Sequence, residues 1–352
     1  RYVPKALADL GEPQPTSTPR RVASLGAAVI DQLWHRLRPT SQQPVLDEEA
    51  RSRVLGLCAV TAAALEVYVY EGRLLDCAII MGLLANSAER SQSPDERARG
   101  YSGLSYLFST SPFLHAMKYF MKKAFELEPA VKEEATLCYV YRGCSISYQN
   151  IAEHDAAIRV AGQAMVIADR LGDTYSKLHA AIVRAHSLIQ ISHYDEAEKL
   201  CRIHLDIAKE VQHKLMQGMW LTLTGNLHLR RGNFAQATDC YAKAHHAAAD
   251  LGTLVTIGAA GGSVFCALRS GARGRALALF EPALSLLENE PATSNGFYDS
   301  YRLLAQAALE LFQTATDDEE KRRLHKQLRR ALWVLRRYAL QYRLGRAGIE
   351  LV

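Results

Sequence analysis

The sequence predicts an all-α fold, an array of about seven helical hairpins rather than two or three separate globular domains. Three observations predict it. Apolar residues recur at spacings of three and four from about Glu49 to Tyr342, and strict alternation is nearly absent, so helix is favoured throughout and no sheet is needed. A small residue recurs where every second helix opens, at Ala78, Ala116, Ala157, Ala197, Ala237 and Ala276, with separations of 38, 41, 40, 40 and 39. The 352 residues are 49% hydrophobic and 22% charged, which supplies ample core and excludes a disordered chain. A single compact core would be unusual at this length, and a repeat of about 40 residues resolves that problem.

In order along the chain, residues 1–46 form a proline-rich leader and residues 47–352 the repeat domain. Pro4, Pro13, Pro15 and Pro19 prevent one continuous helix, so 11–20 is expected to be extended. Leu25, Val29, Leu33, Trp34 and Leu37 then make an amphipathic helix that Pro39 ends. Helix pairs follow at about 50–90, 95–128, 131–171, 174–211, 213–251, 253–289 and 297–343. Their internal turns are Tyr70-Glu71-Gly72, 149–154, Ser192-His193, Arg231-Gly232-Asn233 and Ser270-Gly271-Ala272. Leu171-Gly172-Asp173 and Leu251-Gly252-Thr253 lie two periods apart, each with a glycine suited to a left-handed helix C-cap.

The clearest copy has Gly225 in its first helix, the turn Gly232-Asn233-Phe234, and Ala237, Tyr241 and Ala244 on one face of its second. These residues resemble a tetratricopeptide repeat (TPR), in which small side chains let two helices approach and an aromatic fills the space beside them. The preceding copy has Ala185, Tyr194, Ala197 and Cys201, but His204 where a small residue is expected. The resemblance implies a right-handed α-solenoid. A period longer than the usual ~34 residues implies longer helices and a more open array.

The leader, with Leu7-Ala8-Asp9-Leu10-Gly11, Pro13, Pro15 and 33–39, is similar to the segment that follows the ATPase module in large bacterial signalling proteins of the nucleotide cyclase or kinase type. That resemblance implies the sensory or assembly region of a longer protein. A start at Arg1 without Met fits the same expectation. None of those proteins' catalytic motifs has a match in this chain.

Chemistry is sparse. The sequence has no G-x-x-x-x-G-K-[ST], H-E-x-x-H or G-x-S-x-G, so no cofactor and no enzyme activity is expected. The glycine-rich stretch Gly258 to Gly262 has no following Lys, and close helix packing or an emptied groove accounts for it better than a phosphate loop. His179 and His186 share a helix face without an acidic residue or Cys at i+3 or i+4, which argues against a metal. Seven scattered cysteines, an odd number, point to reduced thiols and a cytoplasmic setting. No apolar run of membrane-spanning length stands out. The net charge of +5, from 42 basic and 37 acidic residues, does not advertise nucleic acid.

In TPR-type arrays the first helix of each pair lines the concave wall. The register puts Tyr101, Phe108, Tyr139, Arg142, Ile146, Gln149, His179, Ile182, His186, Met219, Thr222, Asn226 and Phe265 there. Tyr101, Tyr139, Arg142, His179, His186, Met219, Asn226 and Phe265 are the candidate binding residues. So apolar and weakly charged a wall suits a protein or peptide partner, or the chain's own flanking domains, in a regulatory scaffold. The alternative is a stand-alone carrier of an apolar small molecule or lipid. Residues 321–346 carry no acidic side chain, and Leu324, Leu328, Leu332, Leu335, Ala339 and Tyr342 form a stripe at helical spacing. A terminal capping helix is the preferred reading, with an anionic membrane surface the lesser one.

Overall fold

In the computed structural model, residues 2–37, 46–247, 253–290, 292, 294–342 and 344–350 are described, and no strand occurs among them. The expected stop at Pro39 and the turn at Leu251-Gly252 lie outside these residues. Two leader helices, α1 (Tyr2–Asp9) and α2 (Thr18–Leu37), precede seven hairpins. The hairpins pair α3 (Glu48–Tyr70) with α4 (Leu74–Ser91), α5 (Pro94–Ser109) with α6 (Leu114–Glu126), and α7 (Glu134–Asn150) with α8 (His154–Leu171). Next come α9 (Thr174–Gln190) with α10 (Tyr194–Glu210), and α11 (Lys214–Arg230) with α12 (Phe234–Ala247). The last are α13 (Thr253–Arg269) with α14 (Arg273–Asn289) and α15 (Tyr298–Gln313) with α16 (Asp318–Gln341), followed by a short α17 (Leu344–Glu350). The array is a TPR-like α-solenoid.

The period is stricter than the alanines imply. Six second helices begin at Leu74, Leu114, His154, Tyr194, Phe234 and Arg273, at steps of 40, 40, 40, 40 and 39. The buried position in their first turn is therefore Cys77, Met117, Ala157, Ala197, Ala237 and Ala276. Ala78 and Ala116 are corrected by one residue each, because the first two hairpins place Cys and Met at the helix crossing. Five of the seven hairpin turns use one residue with positive φ. Gly72, Gly232 and Gly271 supply it freely, whereas Ala152 (φ 63°) and Ser192 (φ 66°) hold the same conformation with a side chain present.

The leader departs from expectation at both of its helices. Pro4 lies in the first turn of α1 and Pro19 in the first turn of α2, where the missing N–H has no helical partner to lose. Helix therefore begins at Thr18, inside the stretch expected to be extended. Leu7 is fully buried against α3, Arg53 Nε donates to the Leu10 carbonyl at 2.8 Å, and Tyr68 Oη donates to Gln14 Oε1 at 2.7 Å. The face of α2 turned to α4 is the polar one, with Gln32 Nε2 donating to Asn86 Oδ1 at 2.6 Å. Val29, Leu33 and Trp34, expected to form the packed face, are exposed.

One helix, α3, is long and apolar enough to cross a membrane by length and composition, a property the sequence reading passed over. Here α3 is the first helix of the first hairpin and packs against α4. On α16 the stripe Leu324, Leu328, Leu335, Ala339 and Tyr342 is buried, while Leu332 is only partly so. Arg330 binds both Glu281 and Glu288, and Arg337 donates to the carbonyls of Leu287 and Glu288. Arg337 of α16 thus caps the C-terminal end of α14.

Close approach is set by glycine where the sequence suggested it. Tyr241 is buried between α11 and α13, and a Cβ on Gly225 or Gly262 would stand 2.6 or 2.5 Å from its side chain. A Cβ on Gly261 would meet the Ser300 carbonyl oxygen at 1.8 Å, so α15 packs backbone to backbone on α13.

Candidate functional site: a concave cavity closed at both ends

The first helices α3, α5, α7, α9, α11 and α13 enclose a cavity of about 1280 Å³, measured to its open mouth. Aliphatic side chains dominate, among them Leu65, Val69, Ile146, Ile182, Met219 and Leu254. The 40-residue register accounts for most of the lining. Tyr139, His179, Met219 and Gly258 form one row, Arg142, Ile182 and Thr222 a second, and Tyr106, Ile146, His186 and Asn226 a third.

Six of the eight candidate residues, Tyr139, Arg142, His179, His186, Met219 and Asn226, come together here. Tyr101 and Phe265 do not, and both assignments are corrected. Tyr101 sits one position short of the Ser102 row, so it turns into the core, where it stacks near Phe120 and its hydroxyl donates to Glu89. Phe265 occupies the Asn226 row, but α15 packs over that part of α13 and buries it beside Phe234. Phe108 likewise stacks on Phe120 at 5.5 Å. The sequence reading missed Leu65, Glu66 and Val69 of α3, although the 40-residue register puts Glu66 on the row of Tyr106, Ile146, His186 and Asn226 and Val69 two periods before Gln149; the register was not carried back to the first hairpin. It also missed Ser294, Gly296 and Phe297 from the connection between α14 and α15.

At one end, the Arg142 guanidinium binds Glu66 across the mouth and donates to Ser176 Oγ at 3.3 Å. The rings of Tyr139 and Tyr175 lie 5.5 Å from it on centroid distance. At the other end, Ser294 is extended (φ −152°, ψ 147°) and leads into a single 3-10 turn, Asn295–Phe297. Asn295 is fully buried; its backbone amide donates to Asn150 Oδ1 at 3.1 Å and its Nδ2 to the Gln149 carbonyl at 2.8 Å. Tyr338 Oη donates to the Asn295 side-chain oxygen at 3.0 Å, so the turn is held from two sides.

Polar groups on successive first helices are tied to one another along the inner wall. Gln149 Nε2 lies 2.9 Å from His186 Nδ1, and Gln190 Nε2 lies 3.3 Å from His186 Nε2. Tyr241 Oη donates to Asn226 Oδ1 at 2.8 Å, which fixes that amide. Behind them Arg230 donates to Gln190 Oε1 at 3.2 Å and to Asp299 Oδ1 at 2.7 Å.

The wall is nearly neutral. Burial pushes His186 down to about 4, with Asp299 opposing the shift. Burial and the neighbouring Arg142 push His179 down to about 3, and burial raises the Tyr139 hydroxyl to about 12. Tyr139 and His179 keep part of their surface accessible, and both line the cavity. Burial alone would raise Asp299, but Arg230 and Arg302 hold it below the usual carboxylate range. No group of three or more His, Cys, Asp or Glu side chains with metal-binding geometry occurs among the described residues.

No protein-family model and no curated protein matches the chain. Among solved structures it is similar to a Rap protein crystallised in complex with competence and sporulation factor. The TM-score is 0.53 at 12% identity, covering 84% of this chain and 94% of that one. The apo form of the quorum sensor NprR from B. thuringiensis gives a TM-score of 0.49 at 15% identity, covering 95% and 97%. The likeness to the Rap protein shows a shared fold, and the chain is a TPR-like, right-handed, all-α solenoid.

Proposed function

We propose that the chain is a non-catalytic regulatory scaffold whose concave cavity receives a short, uncharged, largely apolar peptide. One observation carries this reading. The wall already holds a stretch of main chain, because Asn150 Oδ1 and the Gln149 carbonyl accept from the backbone amide and side-chain amide of Asn295, in the 3-10 turn that follows the extended Ser294. Gln149, His186 and Asn226, on three successive first helices, add side-chain donors and acceptors, which a peptide backbone needs if its N–H and C=O groups are to be satisfied when buried. Four first helices at spacings of 8–10 Å span roughly 25–30 Å, the length of about eight extended residues. That a protein of the same fold was crystallised with a factor bound supports a ligand-receiving array.

The sensory region of a larger cytoplasmic signalling protein of the ATPase type remains our proposal for context, and it rests on the leader's resemblance. A second reading, a carrier of an apolar small molecule, is favoured by the closure of both ends of the cavity. Incubating the protein with a library of uncharged apolar octapeptides and identifying the retained members by mass spectrometry tests the first. Extracting the purified protein with organic solvent tests the second. Retention of peptides with a clean extract supports the scaffold, and a stoichiometric lipid in the extract with no peptide retained supports the carrier.

A further inference from the structure

Among the described residues Arg142 is the only permanent cation lining the cavity, and Glu66 the only carboxylate. The two are unequal partners. The Arg142 side chain is 9% exposed, set between the Tyr139 and Tyr175 rings and anchored on Ser176, whereas Glu66 is 35% exposed. Glu66 also comes from far away, 76 residues back in the chain, on a helix that α5 separates from α7 in the order of the array. The guanidinium is thus built into the wall, and the carboxylate reaches it from the mouth.

A buried guanidinium must keep an anion, since leaving one unpaired is strongly unfavourable. A ligand that enters between the two groups must bring a negative charge of its own, and a planar carboxylate matches the guanidinium fork. We propose that Arg142 is a carboxylate subsite at which the C-terminal carboxylate of the bound peptide takes the place of Glu66. This deepens the peptide reading and rests on it for the source of the carboxylate. The aromatic pair around Arg142 then receives the peptide's last side chain, and Ile146 and Ile182 the apolar body.

The test uses the whole chain and two octapeptide libraries of uncharged apolar composition, one with free C-termini and one amidated. The free-acid library is expected to be retained about tenfold more tightly or better, the size of a hydrogen-bonded charge. Arg142→Gln should bring the acid-to-amide ratio to within about twofold. Glu66→Gln, which keeps a hydrogen-bonding side chain of the same size beside Arg142, should raise retention of the acids by removing the competing carboxylate. Equal retention of acids and amides by the unmodified protein overturns the subsite, as does a ratio unchanged in Arg142→Gln. Decanoate and decanol are the second probe pair. Should no peptide be retained while decanoate is held over decanol in an Arg142-dependent manner, the subsite stands and the peptide reading falls. If neither pair shows the preference the subsite falls, and the peptide reading falls with it only when no peptide of either library is retained.

Discussion

Asn150 and Asn295 are 145 residues apart in the chain, yet the backbone amide of Asn295 donates to the Asn150 side chain at 3.1 Å. This contact joins the third hairpin to the connection before the seventh and turns an open groove into a bounded cavity. Asn295→Ala removes the donor to the Gln149 carbonyl and one of the two acceptors of Tyr338 Oη, both buried. The variant is expected to lose about 1–3 kcal/mol of stability. Amide exchange at Gly296 and Phe297 should accelerate while that of α9 does not. Unchanged exchange in the turn would show that the bonds do not hold it.

Three glycine and alanine positions test the packing with opposite signs. Gly261→Ala places a methyl against the Ser300 backbone and should cost on the order of 1–3 kcal/mol despite alanine's better helix propensity. Gly274, in α14 with open space around it, should gain roughly 0.5–1 kcal/mol from the same change. Ala152→Gly should stabilise by on the order of 1 kcal/mol by relieving a side chain at φ 63°. Denaturation midpoints read all three.

Stability should fall in mild acid. His186 titrates near 4 and His179 near 3 in the folded chain, against about 6.5 when unfolded. The unfolded state therefore binds more protons below pH 6.5, and each histidine removes about 1 kcal/mol per unit as pH drops toward 4. Above about pH 7 neither contributes. Asp299, held below its ordinary value, keeps its contribution until the pH falls further still. Replacing both histidines with Gln should flatten the profile between pH 6.5 and 4, and an undiminished slope would place the titration elsewhere.

All seven cysteines are free and buried. Burial pushes the thiols of Cys58, Cys77, Cys144 and Cys201 up to about 12, so little thiolate exists at neutral pH. Alkylation at pH 8 is expected to be slow in native protein and complete in denaturant. Rapid native labelling of any of these four would contradict the packing described.

The hairpin boundaries were legible to within a few residues, because apolar spacing and turn glycines are local signals that the packed array does not override. Tyr139, Arg142, His179, His186, Met219 and Asn226 were legible for the same reason, each lying on the inner row of a regular first helix. Tyr101 failed because one residue of register turns a helical side chain by about 100°. Phe265 failed because α15, outside the repeat, covers its row. Asn295 carries no local mark, since it lies in a connection outside the helical register, whereas Glu66 stands 40 residues before Tyr106 on a row that the period could have supplied. His204 breaks the small-residue pattern yet fits, stacked on Trp220 at 5.2 Å with Nδ1 donating to the Leu200 carbonyl.

The central claim, that a peptide occupies the space between α7, α9 and α11, is tested most directly by filling that space. Ile182 lines the middle of the wall, and Ile182→Trp puts an indole into the cavity without touching either closed end. Equilibrium retention of the octapeptide library should fall at least tenfold in this variant while the melting temperature stays within a few degrees of the unmodified protein. Undiminished retention by a folded Ile182→Trp chain would place peptide binding outside the cavity and contradict the account.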